Sequence, residues 1–170
     1  YQGFINSYNT DGYSIRPNSN SRVRTPIERY STTQQIKWDL SSKTNFVLNT
    51  RYTNEQIQNE IAVSNNGVTI YSIGKENIKD LNASASLNHR FSNHLKTSIR
   101  TYTTTYDAVQ NLLTINGLPY RDVLNHNFKR IENQTDWDLN KKIQAVFGIG
   151  AVWEGVKSSR YDSEKLRKQN

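Results

Sequence analysis

The sequence predicts an all-β chain: an antiparallel up-and-down meander of long strands that forms part of a transmembrane β-barrel. Three observations carry this expectation. Polar breaks recur near residues 42, 66, 93, 116 and 141. The stretches between them alternate apolar and polar side chains with the period of two that a strand imposes. The parity of that alternation also survives each short break, as a hairpin with one covered face requires.

The breaks set the element lengths. Ser41-Ser42-Lys43-Thr44-Asn45, Ser92-Asn93-His94 and Asn140-Lys141-Lys142 are short polar turns, and Asn66-Gly67 and Asn116-Gly117 supply the positive φ angles of tight hairpins. A turn about every 25 residues exceeds the 8–12 of soluble sandwiches. Strands of about 20 residues extend about 65 Å, or about 45 Å of height at a 45° tilt, well beyond a 25 Å apolar band. The excess projects into water on the side of the turns at 66 and 116, where the apolar alternation decays, and the short turns at 42, 93 and 141 belong to the periplasmic side.

Around the first short turn, Ile36, Trp38 and Leu40 oppose Lys37 and Asp39, and Phe46, Leu48, Thr50 and Tyr52 oppose Asn49, Arg51 and Thr53. Around the second, Leu81, Ala83, Ala85, Leu87 and Phe91 oppose Asp80, Asn82, Ser84, Ser86 and Arg90, and Leu95, Thr97, Ile99 and Thr101 oppose Lys96, Ser98 and Arg100. Around the third, Ile131, Thr135, Trp137 and Leu139 oppose Glu132, Gln134, Asp136 and Asp138, and Ile143 to Trp153 follows. Gln34 and His89 fall on the apolar parity and point to a bulge or a local register shift. The predicted lumen-facing charges are Lys37, Asp39, Arg51, Asp80, Arg90, Lys96, Arg100, Asp136 and Asp138. The predicted lipid-interface girdle is Tyr30, Trp38, Phe46, Tyr52, Phe91, Trp137, Phe147 and Trp153.

Composition agrees. Only 34% of the 170 residues are hydrophobic, little for a compact core, yet ten Tyr and recurrent Val, Ile and Thr favour strands. A barrel needs apolar residues on its lipid face alone. There is no Cys, hence no disulfide or thiolate site, and no apolar run of helix-spanning length. The absence of Met and the start at Tyr1 mark a processed chain or an excerpt. The formal charge of +7 comes from residues dispersed along the chain, with one dense cluster at Lys165-Leu166-Arg167-Lys168. That dispersal argues against nucleic acid and for affinity to an anionic membrane surface.

Several segments resemble the first barrel strands of TonB-dependent outer-membrane receptors, just after their plug domain. They are the loop opening Tyr8-Asn9-Thr10-Asp11-Gly12-Tyr13, then Thr25-Pro26 and Tyr30, and the run from Ile36-Lys37-Trp38-Asp39-Leu40 through Ser41-Ser42-Lys43-Thr44 to Asn49-Thr50-Arg51-Tyr52. Leu87-Asn88-His89-Arg90-Phe91, Leu95 and Thr101-Tyr102-Thr103-Thr104-Thr105-Tyr106 look like the next hairpin of such a barrel. The resemblance covers most of the chain and implies energised uptake of a scarce nutrient: a ferric siderophore, haem, cobalamin, a glycan or a peptide. It implies a bacterial outer-membrane location and outer-membrane lipid or lipopolysaccharide around the barrel. It also implies a plug and further barrel strands from the same protein, and engagement of the TonB complex through an N-terminal region. Against a complete member, residues 1–170 offer about seven strands, from Tyr1–Tyr8 to one starting at Ile143, with no plug and no terminal aromatic strand.

Enzyme chemistry finds no foothold. His89, His94 and His126 lack metal-ligand spacing and read as solvated polar residues, His94 in a turn and His126 in an outer loop. Gly148-Ile149-Gly150 reads as small lumen-facing strand residues, no nucleophile elbow occurs, and no cofactor is expected. Asn82-Ala83-Ser84 and Asn133-Gln134-Thr135 match a glycosylation sequon by chance. The outer segments Tyr13–Arg24, Ala62–Ile73 and Val109–Asn127 are the expected recognition loops. Two other readings fit the same pattern: a small complete eight-strand barrel with a structural or adhesion role, and a soluble all-β binding module. The first needs an eighth strand after Trp153, which the charged Ser158–Asn170 is expected not to supply.

Overall fold

In the computed structural model, which describes residues 1–14, 24–65, 68–113, 119–160 and 167–169, the chain forms one antiparallel sheet. Its strands lie in sequence order: β1 (Gln2–Thr10), β2 (Ile27–Ser41), β3 (Thr44–Asn65), β4 (Val68–Arg90), β5 (Leu95–Leu113), β6 (Pro119–Asn140), β7 (Ile143–Ser158) and β8 (Arg167–Gln169). The predicted all-β meander of seven principal strands is therefore present, and the sheet is open: among the described residues β1 pairs only with β2, and β8 only with β7.

Polar side chains close the three short turns, which suits residues that hydrogen-bond their own backbone. Ser41 Oγ accepts the Lys43 amide at 3.2 Å, Ser92 Oγ accepts the His94 amide at 3.1 Å, and Asn140 Oδ1 accepts the amides of Lys142 and Ile143 at 2.9 and 3.1 Å. The two register shifts sit beside such turns, at Asp39/Ser41 and Asp138/Asn140. Gln34 and His89, where an irregularity was expected, lie in unbroken register with Thr50 and with Thr44 and Thr97. His89 is held there by its own chemistry, with Nδ1 2.8 Å from Thr44 Oγ1 and its ring edge-on to Phe91.

The outer ends differ from the expected loops. Residues 62–65 and 68–73 remain paired strand up to Asn65↔Val68, and residues 109–113 and 119–127 remain paired from Leu113↔Pro119 onward. Cross-strand amide pairing persists there although the regular apolar alternation fades, because the ladder belongs to the backbone. Asn66-Gly67 and Asn116-Gly117 lie outside the described residues. The Tyr13–Arg24 segment begins and ends in a bridge, Tyr13 N–H to Arg24 O at 3.0 Å and Arg24 N–H to Tyr13 O at 3.2 Å. Gly12 enters this bridge at φ 74°, where a Cβ would strike the Arg24 carbonyl, so only glycine fits easily. Ser158–Asn170 does supply a strand, against expectation: β8 adds three residues opposite Glu154–Val156, since backbone pairing tolerates charged side chains at an edge.

Rows of paired residues run across the whole sheet, for example Ile36↔Leu48↔Ala85↔Thr101↔Ile131↔Ala151. Along this row the short hairpins lengthen regularly: 12 residue steps separate Ile36 from Leu48, 16 separate Ala85 from Thr101, and 20 separate Ile131 from Ala151. The strands are thus staggered by one residue each.

The sheet is a single layer with almost no interior: the buried residues among those described are Ala108 and Asp122. Asp122 ties β6 to the exit of β7. Its Oδ1 accepts the Ser159 hydroxyl at 2.5 Å and its Oδ2 accepts Arg160 Nε, while Val123 and Ser159 exchange bonds at 2.9 Å. The Ser159 hydroxyl, aided by Arg160 and the Val123 amide, holds the Asp122 carboxyl below the usual carboxylate range despite the opposing effect of burial. A depressed folded pKa stabilises above the unfolded value near 4 and ceases to do so as pH falls through the folded one. The Ser159 and Arg160 amides should therefore be protected at neutral pH and lose protection in hydrogen exchange below about pH 4, after correction for intrinsic rates. Asp122→Ala should expose them about tenfold faster at neutral pH; unchanged protection in that variant would show that the tie is unimportant.

Candidate functional site

Antiparallel partners share a face, so the register assigns every side chain to one side of the sheet. All nine predicted lumen charges fall on one side. Lys37 and Asp39 pair with Val47 and Asn45; Arg51 pairs with Asn82, two residues from Asp80; Arg90 pairs with Lys96, Lys96 with Asp136, Arg100 with Glu132, and Asp138 with Gln144. The eight predicted girdle aromatics all fall on the other side, on β2, β3, β6, β7 and the β4–β5 turn.

The charged face is organised by cross-strand pairs. Arg51 Nη2 lies 3.2 Å from Asp80 Oδ2, Arg100 Nη1 lies 3.4 Å from Glu132 Oε1, and Arg130 pairs with Glu132 Oε2. Farther out, Arg29 pairs with Glu55, and His126 Nε2 sits 2.8 Å from Glu154 Oε1. His126 is therefore a strand residue with a carboxylate partner, where a solvated loop position was expected; pairing of β6 with β7 continues past it to Leu124↔Ser158. Among the described residues no three His, Asp or Glu side chains gather as metal ligands.

Two of the grooves on this face gather charged side chains. One, of about 760 Å³, lies near the short turns and is lined by Asp39, Asn45, Asn88, Arg90, Lys96, Arg100 and Asp136, so it gathers five of the nine predicted charges. The other, of about 390 Å³, contains Ser84, Ser86, Arg100, Tyr102, Phe128, Arg130 and Glu132. In it the Tyr102 and Phe128 rings lie 5.9 Å apart, and the Tyr102 hydroxyl donates to Asn82 Oδ1 at 2.7 Å. Gly148 and Gly150 share this face opposite Gln134 and Glu132 and leave β7 bare beside Arg100 and Arg130. The arrangement offers guanidinium and carboxylate hydrogen bonding next to an aromatic surface, suited to docking another polypeptide or a polar ligand.

Sequence reasoning missed Arg130, Tyr102 and Phe128 as site members and did not list Glu132. Their parity was visible, but the register that brings Glu132 between two arginines was not. Lys37, Asp39, Arg90, Lys96, Asp136 and Asp138 share the face without a direct ion pair among the described residues. Comparison with protein-family models and with curated proteins finds no match to either.

Because Arg100 and Arg130 remain about half exposed, their pairing with Glu132 is a weak stabiliser. Glu132→Gln should cost about 1 kcal/mol or less in denaturant unfolding. Salt at about 1 M should erase the difference from the unmutated protein; a persistent difference would mean that packing, not charge, is the cause.

Proposed function

We propose that this chain is part of the transmembrane β-barrel of a TonB-dependent transporter in a bacterial outer membrane, which takes up a scarce, bulky nutrient. The observation that carries the membrane reading is an uncharged belt. On the aromatic face, Tyr30–Leu40 of β2, Thr44–Gln58 of β3, Leu81 to Phe91, Leu95–Thr105 of β5, Ile131–Leu139 of β6 and Ile143–Gly155 of β7 contribute no Asp, Glu, Lys or Arg. The opposite face of the same segments holds eight of the nine charges named above, and the ninth, Asp80, immediately precedes Leu81.

Dimensions support the same reading. With the three short turns set at one level, a stagger of one residue per strand is about 3.3 Å of climb for about 4.8 Å of sideways travel, a tilt near 35°, as barrels use. Trp38, Phe46 and Trp137 then lie about four residues above their turns and Tyr30 and Trp153 about twelve, which spaces the two aromatic levels by about 22 Å, close to the 25 Å apolar band. Leaving the eight girdle aromatics in water would forgo about 2 kcal/mol each.

Some polar atoms inside the belt are bonded to one another, as hydrocarbon favours. Asn133 donates to Thr97 Oγ1 at 2.9 Å, and Thr97 and Thr135 hydroxyls meet at 3.1 Å. The transporter assignment rests on the resemblance of the early strands, and the grooved, charged face supports it as a surface for a plug and a transport path. β8 raises the strand number to eight, as in the smallest barrels, but its three residues meet only the outer end of β7, which counts against closure onto β1.

Immunoblots of isolated outer membranes should show a heat-modifiable band far above 19.7 kDa; a band near 20 kDa would favour a small barrel, and signal only in the soluble fraction would overturn the membrane reading. At mid-belt, Ala85→Arg should cost about 2–4 kcal/mol of folding in lipid. Its neighbour Ser86→Arg, on the charged face, should cost little; equal costs would contradict the assignment of faces.

A further inference from the structure

On the charged face, Arg100, Arg130 and Glu132 form a group whose bonding capacity is not used up within the sheet. Glu132 stands opposite Arg100 in the β5–β6 ladder and two residues from Arg130 on β6, and it pairs with both. Among the described residues it is the only carboxylate that either arginine pairs with. Glu154, opposite Phe128, faces His126 Nε2 at 2.8 Å instead. Two guanidiniums therefore share one carboxylate, and the group keeps a net positive charge. Each guanidinium has more N–H donors than one carboxylate oxygen can take, and both side chains are about half exposed.

The group stands where two cavities meet. The groove of about 390 Å³ and a cavity of about 580 Å³ toward β7 both include Arg100, Arg130 and Glu132. On one side aromatic surface adjoins them. Tyr102 lies opposite Arg130 in the ladder, its hydroxyl bond to Asn82 fixes the ring, and Phe128 lies 5.9 Å away at a tilt of 59°. Rings tilted in this way leave faces open to a third ring. On the other side, Gly148 and Gly150 put no side chain beside the guanidiniums. The groove has the size of a small-molecule pocket and joins an apolar wall to a few converging polar groups.

We infer that this groove binds an aromatic acid, its ring against Tyr102 and Phe128 and its carboxylate held by Arg130 and Arg100. The planar fork of a guanidinium matches a carboxylate bidentately. A neutral sugar would leave that charge unused, and an acidic peptide would leave the rings uncovered. Glu132 acts here as an internal competitor: it holds the two arginines together when the groove is empty and shares them when it is filled. In the transport reading the aromatic acid is a part of the nutrient, and the inference rests on that reading to this extent.

The test uses the intact protein purified in detergent, with benzoate as the probe and benzamide and cyclohexanecarboxylate as comparisons. Affinity is read by saturation-transfer NMR, with protein-free micelles as the blank. Benzoate should bind about tenfold more tightly than uncharged benzamide. It should bind about fivefold more tightly than cyclohexanecarboxylate, which keeps the charge and lacks the aromatic face. Arg130→Gln should weaken benzoate binding about tenfold, and Phe128→Leu about fivefold. Glu132→Gln should strengthen it about fivefold by freeing both guanidiniums, a gain that loss of structure cannot mimic. Lys141→Gln, which removes a cation at the β6–β7 turn, should leave binding unchanged. Equal binding of the three compounds, weaker binding by Glu132→Gln, or equal losses in Lys141→Gln and Arg130→Gln would overturn the site. The membrane reading fails separately, as a protein that stays in the aqueous phase without detergent and shows no heat-modifiable mobility.

Discussion

Everything in this structure depends on cross-strand backbone pairing in one unbroken register. Among the described residues almost nothing is buried, so amide hydrogen bonds between neighbouring strands hold the sheet, and they also decide which side chains share a surface. A slip of one residue between β3 and β4 would move Leu81, Ala83, Ala85 and Leu87 to the charged side and bring Asp80, Asn82 and Arg90 to the aromatic one. Polar turn residues guard against that slip. Asn140 alone caps two amides at the β6–β7 turn, and the two irregularities in the ladder are kept beside turns, where they disturb no face.

The two faces then do different physical work. On one, charges meet across strands in exposed pairs that stabilise little but present an ordered array of donors and acceptors. On the other, side chains are apolar or uncharged through the belt, and one polar group, Thr97–Asn133–Thr135, binds its hydroxyls and amide to one another. A water-soluble sheet would need a second layer over that surface, since aromatic area of this extent is otherwise left uncovered.

Much of this was legible in the sequence because period and parity are local properties. Leu40 to Phe46, Phe91 to Leu95 and Leu139 to Ile143 were expected to keep one side across their turns, and the register puts Phe46, Leu95 and Ile143 on the same side as Trp38 and Trp137. What pairs with what was not legible. Arg130 and Glu132 are two residues apart on one strand, yet the contact that joins them to Arg100 is fixed by a register no single strand encodes. The outer ends of the hairpins misled for a related reason: polarity was read as loop around residues 62–73 and 109–127, whereas backbone pairing continues wherever two strands stay in register. β8 was missed because its three residues borrow their geometry from the edge of β7.

The strict neighbour-to-neighbour order of the strands also bears on how such a chain acquires its shape. No strand must wait for a distant partner, so each completed hairpin offers its free edge as the template for the next, and ordering can spread as a zipper. The evolutionary counterpart is modular growth: a whole hairpin can be gained or lost without inverting the facing of any other strand, whereas loss of a single strand would reverse chain direction for all that follow.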